Sequence, residues 1–210
     1  MIDLRDLRIR NVNRLVLLLG CVAFTFGTAS PAQQVVKAAP QKEGVQVVSR
    51  MISVERITFI SNKPYGEILT KLKAGVGHTD MAAFGKKIAA AQTEPELEKV
   101  VNDVVGSRGL MEFAEFDMGA VLQKELGPKA SRSTRFLIGN PLVMKSMAKY
   151  VPDAASYAPV TILVDERPDG VHLTYDTMAS HLAPYGNDES LKVARKLDEE
   201  VRALLSAAAK

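Results

Sequence analysis

The chain has one cysteine, no tryptophan and three histidines among 210 residues, and each shortage closes a class of chemistry. A lone cysteine cannot form an intramolecular disulfide or a thiolate zinc cage. His78, His172 and His181 show no ligand spacing, and no zinc-helix motif, phosphate-cradling glycine loop or serine nucleophile elbow is present. Eight methionines are available, but Met111, Met118, Met144, Met147 and Met178 are spread along the chain, as core fillers are. Charge of one sign is missing too. Of 27 Lys and Arg and 24 Asp and Glu, four and two fall in the first 32 residues, which leaves 23 against 22 beyond them. A nucleic-acid partner would call for a strongly basic face, so none is expected. No cofactor and no metal is expected either.

What is present begins with an address. Arg5, Arg8, Arg10 and Arg14 precede the apolar stretch from Leu15 to Phe24, and the small residues Ser30 and Ala32 follow. This layout predicts a secretory signal peptide over residues 1–32 cleaved after Ala32, hence a periplasmic or secreted protein that meets a membrane only through that segment. The run falls short of the roughly 20 apolar residues a membrane span needs. Leu18-Leu19-Gly20-Cys21 looks like a lipoprotein processing box, yet the sequence stays hydrophobic through Phe26 where a tether would turn polar. Residues 33–50 read as a flexible polar linker.

Residues 51–210 read as a single α+β domain. Runs rich in β-branched and aromatic residues predict strands at 54–60, 110–117, 134–138, 160–165 and 171–175, the last two joined through Arg167-Pro168-Asp169-Gly170 as a hairpin. Tyr65, Ile68, Leu69, Leu72 and Val76 recur at helical spacing, Thr79-Asp80 and Thr93 open two further helices, and Leu191, Ala194, Leu197, Val201, Leu204 and Leu205 line one face of a C-terminal amphipathic helix. The order predicts a curved, mainly antiparallel sheet of about five strands with helices on one face and a helical insertion at 77–107.

Gly139-Asn140-Pro141 joins a strand to a helix. Glycine can reach positive φ, asparagine caps helices well, and proline suits the first helical position. The helix N-terminus behind Asn140 would also accept an anion.

Taken together, Pro64-Tyr65 opening a helix, Phe113-Ala114-Glu115-Phe116-Asp117, Phe136-Leu137-Ile138-Gly139-Asn140-Pro141, Pro159, Asp169-Gly170 and Leu173-Thr174-Tyr175 resemble the domain-of-unknown-function 302 family. The resemblance covers about residues 53–75 and 108–185. It implies a TATA-binding-protein-like α+β fold and a homodimer, and it brings no catalytic residues. Two departures stand out: Met118 occupies the position where the family usually has histidine, and the helical stretch 77–107 exceeds the family's usual connection.

The functional expectation is non-enzymatic binding of a small, possibly anionic ligand or a protein partner, in a pocket where Asn140 and Gly139 meet Tyr175 and Asp117. Two alternatives compete with it. One is a hydrolase or isomerase that uses Asp117 as base, with Tyr175 and His172. The other is an interaction protein acting through the helices of 77–107.

Overall fold

The computed structural model describes residues 44–210, so the expected signal segment, Cys21 and most of the expected linker lie outside the described residues. Residues 45–50 are exposed and carry no helix or strand, and Ile52–Lys210 forms one compact unit.

Alternation of apolar and polar residues sets the sheet. β1 (Arg56–Ser61), β2 (Met111–Asp117), β3 (Ser133–Gly139), β4 (Val160–Arg167) and β5 (Gly170–Asp176) pair antiparallel in the order β1-β5-β4-β3-β2. Phe136 and Ile138, Ile162 and Val164, and Leu173 and Tyr175 are buried on one face. The intervening Arg135 and Leu137, Thr161 and Leu163, and Thr174 and Asp176 lie on the other, because successive strand residues point to opposite sides. The hairpin between β4 and β5 needs its glycine twice over. Gly170 has φ 137°, and a Cβ there would lie 2.7 Å from the Ser61 carbonyl oxygen of β1.

Helices cover the apolar face. α1 (Tyr65–Ala74) contributes Tyr65, Ile68 and Leu72 to the core, and the Tyr65 hydroxyl donates to Thr134 Oγ1 at 2.7 Å, so the phenol is buried without losing its hydrogen bond. α8 (Asp188–Ala209) opens on Asn187, whose side chain accepts from Ser190 N–H, and buries Ala194, Leu197, Val201, Leu204 and Leu205. Each of its large apolar side chains contributes roughly 1.5–3 kcal/mol on leaving water. α5 (Pro141–Ala148) and α7 (Met178–Leu182) pack against α8. This is the expected α+β architecture.

Within the expected insertion stand α2 (Met81–Ala90) and α3 (Glu94–Asn102), capped by Asp80 and Thr93 as their sequences predict. Phe84 and Val101 form a small second core with Met111, against which Leu142 and Phe113 pack. A register shift between Glu112 and Ala114 leaves Phe113 as the extra residue of a bulge. The stretch is tied back at both ends: Gly77 donates to the Leu110 carbonyl, Glu112 N–H donates to Gly77, and any Cβ on Gly77 would collide with the Val104 carbonyl. α4 (Met118–Leu126) follows β2 directly, and α6 (Ala154–Tyr157) precedes β4 through a cis Ala158–Pro159 peptide. A 3₁₀ turn at Ala183–Tyr185 separates α7 from α8.

Candidate functional site

The structure does not bring Asn140, Gly139, Tyr175 and Asp117 together. Asp117 ends β2 opposite Thr134, while Gly139, opposite Met111, ends β3 at the other end of that strand pair. Five residue steps of strand, about 17 Å, separate the two ends. Asp117 is the N-cap of α4 and accepts from Ala120 N–H at 2.8 Å. Asn140 is the expected cap of α5, but both ends of its amide are used inside the fold: Oδ1 accepts from Leu142 N–H and Nδ2 donates to the Gly109 carbonyl, each at 2.8 Å. Gly139 pairs within β3 and is not among the positive-φ glycines, so the backbone freedom expected of it is not used.

Tyr175 lies on the helix-covered face and is 1% exposed. Its hydroxyl donates to Asp198 Oδ1 from α8, and the same carboxylate accepts Met178 N–H at 2.8 Å and Ala179 N–H at 3.0 Å. Asp198 thus caps α7 from another helix. Burial raises the Asp198 carboxyl above the ordinary value, and burial beside that carboxylate pushes the Tyr175 phenol well up. His172 stands three residues before Tyr175 on the opposite face, where Nε2 meets Asp169 at 2.9 Å. Asp117, Tyr175 and His172 therefore do not form a constellation. Among the described residues no group of three or more His, Cys, Asp and Glu could hold a metal ion.

What the fold does build is a hollow of about 720 Å³ on the open face of the sheet. A cross-strand row forms its floor, with Thr58 opposite Thr174, Thr174 opposite Leu163, and Leu163 opposite Arg135. Leu137 and Thr161 make the next pair along β3 and β4. A wall rises where β4 begins and β5 ends, made of Tyr157 and Pro159 on one side and His181 on the other. The Tyr157 and His181 rings stack with centroids 4.6 Å apart and planes at 19°, and the Tyr157 hydroxyl lies 3.1 Å from that of Tyr185. His181 Nδ1 is buried without a hydrogen-bond partner among the described residues, and burial holds the imidazole below its ordinary pKa.

Three guanidiniums line this hollow, and their partners differ. Arg56 makes two hydrogen bonds to Asp176, at 2.6 and 2.8 Å, which hold that carboxyl below the usual carboxylate range. Arg167 is paired with Asp165. Arg135 is exposed and makes only a 3.3 Å hydrogen bond from Nη2 to Thr161 Oγ1, with no carboxylate partner among the described residues. Thr58 and Thr174 bond each other at 3.2 Å. Among the described residues the hollow therefore holds one guanidinium without a counter-ion, above a floor of leucines and threonines.

Sequence reasoning missed these residues, although strand alternation carried the signal. Arg135 breaks the apolar run Phe136-Leu137-Ile138 on its N-terminal side, and Thr161 and Leu163 share its parity against buried Val160, Ile162 and Val164. A second hollow, of about 920 Å³, includes Asn140, but four cations and three glutamates mostly from the solvent face of α8 share its lining. Such mixed charge is that of an ordinary solvated helix face.

These features define an open-faced antiparallel α+β domain with a polar-rimmed hollow on its bare sheet face. The model of the family described as Domain of unknown function DUF302 matches residues 86–208, more than half of the chain, and the chain belongs to that family. The match takes in Arg135, Tyr157, Thr161 and His181 and leaves β1, with Arg56 and Thr58, outside. Among solved structures, the crystal structure of uncharacterized conserved protein DUF302 from Bacillus stearothermophilus shares the fold, with a TM-score of 0.52 at 9% identity over 74% of this chain and 98% of that one. No curated protein matches.

Proposed function

We propose that the chain is an exported, non-enzymatic domain that binds a small organic anion on the open face of its sheet, with Arg135 as the anchor. The observation that carries the reading is the guanidinium of Arg135, which faces a hollow of about 720 Å³ with no carboxylate partner among the described residues, while Arg56 and Arg167 are neutralised by neighbouring aspartates. The volume lies within the several hundred Å³ usual for small-molecule sites. A guanidinium offers a planar fork that fits a carboxylate through two parallel hydrogen bonds.

Calorimetric titration with a panel of carboxylates is expected to give at least one saturable isotherm. Arg135→Gln is expected to weaken it at least tenfold, while Asn140→Ala, which alters a helix cap away from the hollow, leaves it unchanged. Equal affinity in Arg135→Gln would overturn the reading.

Export rests on the basic-then-apolar layout of the first 32 residues. No described helix is long and apolar enough to cross a membrane. Expression of the full sequence in a bacterial host, with mass measurement of the product, is expected to return a chain beginning at Gln33. A product that keeps residues 1–32 in the cytoplasmic fraction would refute export.

A further inference from the structure

We infer that the ligand is an amphipathic monocarboxylate, its carboxylate on Arg135 and its short apolar body lying over Leu137 and Leu163 against the stacked Tyr157–His181 pair. The inference rests on the open-face binding reading and narrows it to one chemical class.

Charge sets the valence. The three guanidiniums are matched by Asp176 and Asp165, which leaves one positive charge, at Arg135. A phosphate or dicarboxylate would bring a second negative charge to a place with no second free cation among the described residues. Of the surrounding hydroxyls, one of the Thr58–Thr174 pair spends its proton on the other, and Thr161 accepts from Arg135 while its own O–H can still donate to a single carboxylate.

The surroundings of Arg135 set the body. Its cross-strand partner on β4 is Leu163, and the next residue on its own face of β3 is Leu137, both half-buried. Beyond them stands the aromatic wall with Pro159. The stacked rings offer the ligand a flat edge, and burial disfavours a proton on the His181 imidazole there. From the Arg135–Leu163 pair to the Leu137–Thr161 pair is two residues of strand, about 7 Å. That interval accommodates one ring or a short alkyl chain beyond the carboxylate.

Four probes separate this inference from the reading beneath it: phenylacetate, phenylacetamide, acetate and inorganic phosphate, titrated calorimetrically into the protein expressed from the full sequence. Phenylacetate is expected to bind saturably and at least tenfold tighter than each of the other three. Arg135→Gln is expected to bring phenylacetate down to the level of phenylacetamide, and Leu163→Ser is expected to bring it down toward acetate, with unchanged circular dichroism in both variants. Acetate or phosphate binding as tightly as phenylacetate, and lost in Arg135→Gln, would overturn the amphipathic class and leave the anion site standing. Phenylacetamide binding as tightly as phenylacetate, or no binding of any probe, would overturn both.

Discussion

Asp198 is a buried carboxylate that gathers three hydrogen bonds, from the Tyr175 hydroxyl and the Met178 and Ala179 N–H groups. It lies on the apolar face of α8, four residues after Ala194 and three before Val201, and it is 5% exposed. Removing it would leave the buried Tyr175 O–H without its acceptor and the Ala179 N–H without a partner, and Met178 N–H would keep only its 3.1 Å bond to the Tyr175 hydroxyl. Each group left unsatisfied in a buried place costs on the order of 1–3 kcal/mol, so Asp198→Ala is expected to lower unfolding stability by about 3 kcal/mol or more in urea titrations, and Asp198→Asn by clearly less. His181 gives a pH dependence of definite sign. Its folded pKa lies below the ordinary 6.5 because of burial. The unfolded chain therefore holds the extra proton in the interval just below 6.5, and stability rises with pH across it. The contribution is complete above that value and is lost as the solution is acidified. Urea midpoints at about pH 7.5 and 5.5 are expected to differ less in His181→Phe than in the parent protein. At this scale the sequence was readable only in part. Asn140 as a cap and Tyr175 as core are both visible in local pattern. The partner of Tyr175 lies 23 residues away on another helix, and no local rule connects the two.

Elements were more legible than residues, because periodicity is summed over many positions. All five strands stand close to where alternation and β-branched runs place them, and Asp80 and Thr93 cap their helices through side-chain oxygens as expected. α6 and α7 escaped, since four and five residues are too few for a helical repeat to show. The unforeseen α7 also explains Asp176. With Thr177 at the start of that helix and Asp198 accepting its first N–H groups, Asp176 is left to pair with Arg56 across the β1–β5 edge. The helices of the 77–107 stretch are bound into the fold through Phe84, Val101 and Met111. Phe84 is 4% exposed, so Phe84→Ala is expected to cost about 3 kcal/mol, a loss that urea denaturation would register. A neutral result would show instead that α2 stands apart from the domain's stability.

At the scale of the domain, one face of the sheet is thick with helices, and among the described residues the other carries only the wall beside the hollow over β3, β4 and β5. The fold class could be read from the order of elements, whereas the location of the hollow could not. A hollow on an open face depends on which residues of four strands share a row, and register emerges only when the strands pair. That is why strand ends marked by Asn140 and Asp117 drew attention while Arg135, in mid-strand, did not. One feature of the topology reaches past the finished structure. Among the described residues β1 is the first strand made and pairs only with β5, and Arg56 meets Asp176 across 120 residues of chain. Pairings of such long range form late and slowly. β1 must therefore wait, unpartnered, until synthesis has passed Asp176, so its backbone N–H and C=O groups stand open to water or to a chance strand for most of the time this domain is being made.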